Sequence, residues 1–252
     1  MTDWKQIFET TFTAPVSAAQ DRIWRQVFGA EYPEGVDPYS YITRSELDRF
    51  VRDLALRPGE RLVDIGCGRG GPGLWVAAQA GARLTGIDIA ETALAAARER
   101  AARMGIAGAS FQVGTFETTG LADGAADGVM SVDAMLFTPD KGAAMRELHR
   151  ILRPGGRLVF TTWDYHSQPD GRPPQVPDHR PLLEAAGFRV DAYDETDHWR
   201  EYGDGTNAGL LAAVDELAAE SGDPVEAVRA EILEMRAADD HMIRRVLAVA
   251  TA

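Results

Sequence analysis

One cysteine, Cys67, stands in the 252-residue chain, so no disulfide can close within it, and a lone thiol fits a reducing compartment. Lysine is nearly absent too: only Lys5 and Lys141 occur, and every other basic residue is arginine. With the heavy use of Ala and Gly, this reads as a coding bias before any function. Positive charge as a whole is scarce, 39 acids against 26 bases leaving a net −13. Nucleic acid and anionic membranes are poor partners for such a surface, because phosphate binding needs clustered positive charge. The exclusion covers the whole molecule and leaves room for a local basic pocket. Missing as well is any apolar run near the roughly 18 residues that a membrane helix needs. The N-terminal MTDWKQIFETTF has neither the basic head nor the apolar stretch of a signal peptide. No His/Cys cluster has metal-ligand spacing, so no metal is expected. These absences together lead to the expectation of a cytoplasmic, soluble protein with neither nucleic-acid nor membrane partners.

What is present is ample core material, 45% of residues being hydrophobic. At roughly 150 residues per domain the length suits one large domain with additions. Residues 17–29 start at a capping serine, bring Ile23, Trp24, Val27 and Phe28 to adjoining helical positions and stop at Gly29. A second helix follows DPYSYI, with Thr43 and Glu46 at capping-box spacing and Leu47, Phe50, Val51 and Leu54 as its stripe. From residue 60 strands and helices alternate: strands at 61–65, 83–88, 109–113, 127–132 and 157–163, helices at 71–80, 91–105 and 140–152. That alternation is the signature of a doubly wound parallel sheet, whose ligands lie at the C-terminal edge of the strands. After a helix at 180–186 and a strand at 188–196, a helix over 207–222 ends at Gly222. Asp223 and Pro224 then offer an N-cap and first-turn pair for another helix to about 242. The closing RRVLAVATA reads as a strand. Residues 197–243 are therefore expected to be a helical insertion between the last two strands.

The richest segment is LVDIGCGRGGPG, residues 62–73, in which Gly66, Gly68 and Gly71 satisfy G-x-G-x-x-G between a strand and a helix. Asp88 ends the next strand 22 residues after Gly66, where a carboxylate can accept from both hydroxyls of a ribose. An adenosine-containing ligand follows from the pair. Charge then selects among such ligands. In a dinucleotide site, loop amides and a helix N-terminus face a pyrophosphate, which a nearby carboxylate would repel. Asp64 lies two residues before the first glycine, at the mouth of the loop. A ligand with an ammonium and a sulfonium but no phosphate suits it better, which describes S-adenosyl-L-methionine and disfavours a dehydrogenase.

With residues 62–73, GIDIA at 86–90, VGTFETTGLADGAADGVMSVDA at 113–134 and ELHRILRPGGRLVFTTW at 147–163, the chain resembles the class I S-adenosylmethionine-dependent methyltransferases. Within them it is most similar to the small-molecule group that acts on quinones, sterols and bacterial natural products. The resemblance covers about 60–252, and only loosely the first 55 residues. It implies a Rossmann-like sheet of seven strands, mostly parallel, the last antiparallel and inserted beside the fifth. It implies that Asp64, Gly66, Cys67 and Gly68 surround the methionine moiety, Asp88 the ribose, and Ile89 the adenine. Many members carry an Asp that accepts from the adenine amino group where this chain has Thr115, followed by Phe116. A threonine hydroxyl still accepts, without the charge. Val132 and Asp133 would approach the reactive sulfur, and Tyr41 would close over the cofactor with Tyr39.

Methyl transfer from a sulfonium asks the protein to orient the acceptor in line, exclude water and, for an O–H or N–H acceptor, take a proton. Three candidates for that base are Asp133 after the fourth strand, His166 after the fifth, and His198 at the start of the insertion. Phe137, Trp163, Tyr165, Trp199 and Tyr202 fall near the same strand edge and offer an apolar acceptor pocket. The domain layout expected is a helical lid at 1–57, a cofactor-binding core at 58–196 and 244–252, and the 197–243 insertion covering the pocket or pairing two subunits as a homodimer. The expected activity is methyl transfer to a small organic metabolite, with S-adenosyl-L-homocysteine as coproduct. The alternatives are a non-methylating cyclisation or rearrangement on the same fold, and a non-catalytic nucleotide-sensing domain.

Overall fold

The computed structural model describes residues 3–36 and 39–252. Its centre is a seven-stranded sheet of β1 (Arg61–Ile65), β2 (Arg83–Asp88), β3 (Ala109–Val113), β4 (Ala126–Val132), β5 (Leu152–Tyr165), β6 (Arg189–Glu195) and β7 (Met242–Thr251), in the order β3-β2-β1-β4-β5-β7-β6. β7 runs antiparallel to both β5 and β6, and every other neighbouring pair is parallel. This is the doubly wound arrangement expected from the sequence. Its chain order reverses between β1 and β4, which opens a crevice at the C-terminal ends of those two strands.

The central strands are mostly apolar because both faces are covered. On one face Val63, Ile65, Val129, Leu158 and Phe160 pack against Met145, Leu148 and Ile151 of α6 (Lys141–Ile151) and Leu183 of α7 (Arg180–Ala185). On the other, Leu62, Leu84, Met130 and Val159 pack against α3 (Arg44–Leu54) and α4 (Gly71–Ala80), through Phe50, Leu54, Leu74 and Val76. α5 (Glu91–Arg103) lies beside β2 and β3. α3 begins with the capping box anticipated for Thr43 and Glu46, both of whose hydrogen bonds are made. Phe50 and Leu54 thus place the third helix of the expected 1–57 lid in the core layer.

A separate helical layer joins the two ends of the chain. Ile23, Trp24 and Phe28 of α2 (Ala18–Phe28) pack on Leu210 of α8 (Trp199–Ala212), Val214 of α9 (Val214–Ser221) and Ile232 of α10 (Val225–Asp239). The helix expected over 207–222 is therefore two helices, the first starting eight residues earlier and the break falling at Ala213. The glycines of α8 are used for close approach: a Cβ on Gly209 would come within 2.6 Å of the Ile23 side chain. The N-cap of α10 is Pro224, so Asp223 stands one residue outside the helix. α1 (Trp4–Thr13), capped by Asp3, falls within the expected 1–57 helical lid, though no helix was read at these residues. Among the described residues no helix is long and apolar enough to cross a membrane.

Candidate active site

At the C-terminal ends of β1 and β4 lies a cavity of about 260 Å³. Among the residues singled out from sequence, Asp64, Gly66, Cys67, Gly68, Gly71, Asp88, Ile89, Thr115, Phe116, Val132 and Asp133 line it, as do Tyr39 and Phe137. The glycine loop is laid across the end of β2 by the Gly66 and Cys67 amides, both donating to the Ile87 carbonyl at 2.8 and 3.1 Å. Gly66 needs its lack of a side chain: its φ is +70°, and a Cβ would stand 2.4 Å from that of Ala134.

Asp64 and Asp88 are the electrostatic core of the site. Asp64 is 2% exposed and accepts from the Gly73 amide, in the first turn of α4. Burial, with the charge of Asp88 added, pushes its carboxyl up to about 8. Asp88 accepts from the Gly68 amide at 2.8 Å and the Ala90 amide at 3.0 Å, so it braces the loop from below. Burial raises its pKa, and the amides of Ala90, Gly68 and Ile89 oppose the rise. Neither acid has an arginine or lysine among the groups that shift it. Two buried carboxylates without a countercharge are costly, since desolvation is repaid only by an opposite charge. Burial also raises the Cys67 thiol, which keeps it a neutral wall.

Several expectations are corrected. Asp133 lines the cavity, yet both its oxygens are occupied. Oδ1 accepts from Thr161 Oγ1 (2.7 Å) and Arg245 Nε (3.0 Å), Oδ2 from Arg245 Nη2 (3.1 Å) and the Tyr41 amide (3.0 Å). No acceptor site remains for a substrate proton, so the general-base reading of Asp133 does not fit. His166 and His198 are outside the cavity. β5 continues past Trp163 and carries His166 to the His241 end of β7, where its ring meets Asp240 O at 2.9 Å and Ser167. His198 caps α8, its side chain 61% exposed and paired with Glu201 at 2.8 Å. Tyr41 does not close over the cavity either; its ring packs between Trp24 and Trp163, and Tyr39 and Ser40 form the wall instead. Of the five aromatics expected to form an acceptor pocket, only Phe137 reaches the cavity. Trp163, Tyr165 and Trp199 cluster with Leu136 and Met242, and Tyr202 stacks on Phe28 at 4.2 Å.

What sequence reasoning missed is the roof. Trp4, Phe8 and Phe12, one turn apart on α1, face the cavity, and Trp4 and Phe8 pack on Phe137 at 4.8 and 4.9 Å between centroids. The helix is fastened at its centre by Glu9, whose carboxylate accepts from the Glu91 and Thr92 amides, each at 3.0 Å, and from Thr92 Oγ1 at 2.8 Å. α5 has no side-chain cap of its own, so Glu9 supplies one at the favourable end of its dipole. The missed signal was an aromatic every fourth residue behind a capping Asp3. Glu117, also missed, lines the cavity two residues after Thr115. Its Oε1 accepts from Thr138 Oγ1 at 2.7 Å, whereas the Thr115 hydroxyl already accepts from the Thr118 amide.

The arrangement fits an adenosyl ligand carrying positive charge. A carboxylate at the end of β2 stands where it could accept from a ribose, the two buried acids have no arginine or lysine acting on them among the described residues, and three aromatics roof the cavity. Comparisons with known proteins agree with this chemistry. Residues 63–160 match the family described as methyltransferase domain. The chain is 32% identical over 129 residues to Methyltransferase GfsG of Streptomyces halstedii, covering 51% of this chain and 46% of that protein. It is 32% identical over 197 residues to the chloroplastic tocopherol O-methyltransferase of Arabidopsis thaliana, covering 70% and 57%. The chain thus spans about half the length of these curated relatives. Among solved structures, the [4+2]-cyclase SpnF superposes with a TM-score of 0.72 at 22% identity, covering 94% of this chain and 98% of that one, which speaks to the fold.

Proposed function

We propose that this chain, whose residues 63–160 match a methyltransferase domain, uses S-adenosylmethionine to transfer a methyl group to a small organic acceptor. The observation that carries the reading is the pair Asp64 and Asp88, buried and without a basic partner among the described residues, at the mouth of a glycine loop. Either carboxylate, once ionised, would repel the pyrophosphate of a dinucleotide, whereas a ligand that brings its own positive charge favours the ionised form and would be held. Bound S-adenosyl-L-methionine supplies an activated methyl on its sulfonium. The chain's part is binding and alignment. Asp88 accepts from the ribose hydroxyls while bracing Gly68, and Asp64 faces the amino end of the methionine moiety. Ile89 and Phe116 flank the base. Glu117, with Oε2 left over, offers a charged acceptor to the adenine amino group in place of Thr115. Trp4, Phe8 and Phe12 seal the cavity against water, which strengthens each electrostatic contact inside it.

With Asp133 fully engaged and both candidate histidines elsewhere, catalysis rests on positioning and exclusion of water. An acceptor that needs little help losing its proton suits such a site. A panel of hydroxylated polyketides, phenolic quinols and sterols, screened for S-adenosylhomocysteine release and for a product heavier by CH₂, tests the proposal. Turnover of one class supports it. Cofactor binding with no methylated product on any member turns the reading toward the second one, a cofactor-dependent cyclisation or rearrangement. That second reading is favoured by the same engaged Asp133.

A further inference from the structure

We infer that Arg245, on β7 and outside the cavity lining, is a positioning residue for the cofactor site. The inference rests on the proposal that the cavity holds S-adenosylmethionine. Asp133 follows β4 directly and adopts φ +52°, a left-handed conformation that non-glycine residues rarely hold without support. The support is unusually complete. Arg245 is 1% exposed and grips both Asp133 oxygens through Nε and Nη2. Its Nη1 donates to Glu46 Oε1 at 2.6 Å and to Thr196 Oγ1 at 3.3 Å. Glu46 in turn uses Oε2 for the Thr43 amide in the capping box of α3. One guanidinium therefore fixes the turn after β4 against the start of α3.

Two consequences reach the cavity. The left-handed turn sets Ala134 against Gly66, where the Cβ of any larger residue would collide, so the turn sets the position of the first glycine of the loop. The second Asp133 oxygen holds the Tyr41 amide, which places Tyr39 and Ser40 on the cavity wall. Loosening Arg245 would let the glycine loop and the 39–41 segment shift together. Misplacement on the scale of an ångström is enough to weaken binding and chemistry about tenfold to a hundredfold.

The test titrates S-adenosylhomocysteine by calorimetry into wild type, Arg245→Lys, Asp133→Asn and the charge-neutral triple variant Asp133→Asn/Arg245→Met/Glu46→Gln, with unfolding midpoints recorded on the same samples. Lysine keeps the charge and loses the fork. The triple variant removes all three charges, which in buried triads is often neutral or stabilising. Expected are affinities weakened about tenfold or more in every variant, including the triple variant after its midpoint recovers. Recovery of affinity together with the midpoint would make the triad structural only and overturn the inference. Should Arg245→Lys fail to fold, Asp133→Asn and the triple variant decide between the same two outcomes. Wild-type binding with unchanged variants overturns the role of Arg245 alone, whereas a wild type that does not bind overturns the cofactor reading as well.

Discussion

Four aspartates sit buried at the C-terminal edge of the sheet, at most 9% exposed, and they divide into two kinds. Asp133 and Asp164 are held by neighbouring arginines of β7. Arg245 forks onto Asp133 on one side of the strand; Arg244 Nε reaches Asp164 Oδ2 at 2.9 Å on the other, beside His179 and Tyr193. Among the described residues, Asp64 and Asp88 have backbone amides and no guanidinium. The first pair is complete within the chain. The second pair is complete only with a ligand that is cationic and offers hydroxyl donors. Identical side chains at equal depth thus separate into structure and site by whether the fold supplies the counterion.

Breaking the second pair should cost the most ligand affinity. Asp88→Ala removes a charged acceptor to two ribose hydroxyls and the brace under Gly68. Charged hydrogen bonds are worth about 1.5–3 kcal/mol each, so S-adenosylhomocysteine binding should weaken roughly a hundredfold by calorimetry. Near-wild-type affinity would remove Asp88 from the site. Asp64→Asn should cost about tenfold at pH 8, and it sharpens the comparison through pH. The Asp64 carboxyl is pushed up to about 8 in the free protein, so near pH 7 most molecules hold the proton. A ligand ammonium favours the ionised form, so binding should release a proton and tighten as pH rises toward 8. Buffers of different ionisation enthalpy would read that release, and Asp64→Asn should abolish it. The same shift fixes the sign for stability: the folded pKa lies above the unfolded one of about 3.9. Its contribution is fully present below pH 4 and lost as pH rises through 8, so thermal scans of the free protein should show a falling midpoint across that window.

Phe8→Ala opens the roof without touching either pair, and loses part of the roughly 2 kcal/mol that burial of such a ring contributes. A five- to tenfold loss of affinity is expected, seen as faster ligand release in stopped-flow. Smallest of all in affinity is Asp164→Asn. Breaking a buried ion pair of this kind costs about 3–5 kcal/mol, which lowers the midpoint of a domain this size by roughly 6–20 °C. Ligand affinity should stay within about twofold, because Asp164 faces away from the cavity. A large affinity loss there would erase the distinction between the two kinds of aspartate.

The legible part of the molecule was the local part. The glycine loop, Asp64 and Asp88 sit within 25 consecutive residues, and strand, turn and acid follow one another in the chain, so spacing alone located them. The sheet was readable for the same reason, its strands being short apolar runs between helices. Asp133 was placed correctly at the end of β4, but its partner lies 112 residues away, and no spacing rule connects them. His166 was misplaced because β5 outruns its apolar run, extending through Asp164 and Tyr165 along β7. α8 was misread because its glycines serve packing on α2, a contact that only the folded chain reveals.

At the centre of the account, Asp64 and Asp88 choose a cationic, phosphate-free adenosyl ligand. Parallel calorimetric titrations of the wild type with S-adenosylmethionine and with NAD test that choice most directly. One-to-one binding of S-adenosylmethionine with proton release near pH 7, and no heat of binding from NAD, is the expected result. Saturable NAD binding without any for S-adenosylmethionine would contradict it.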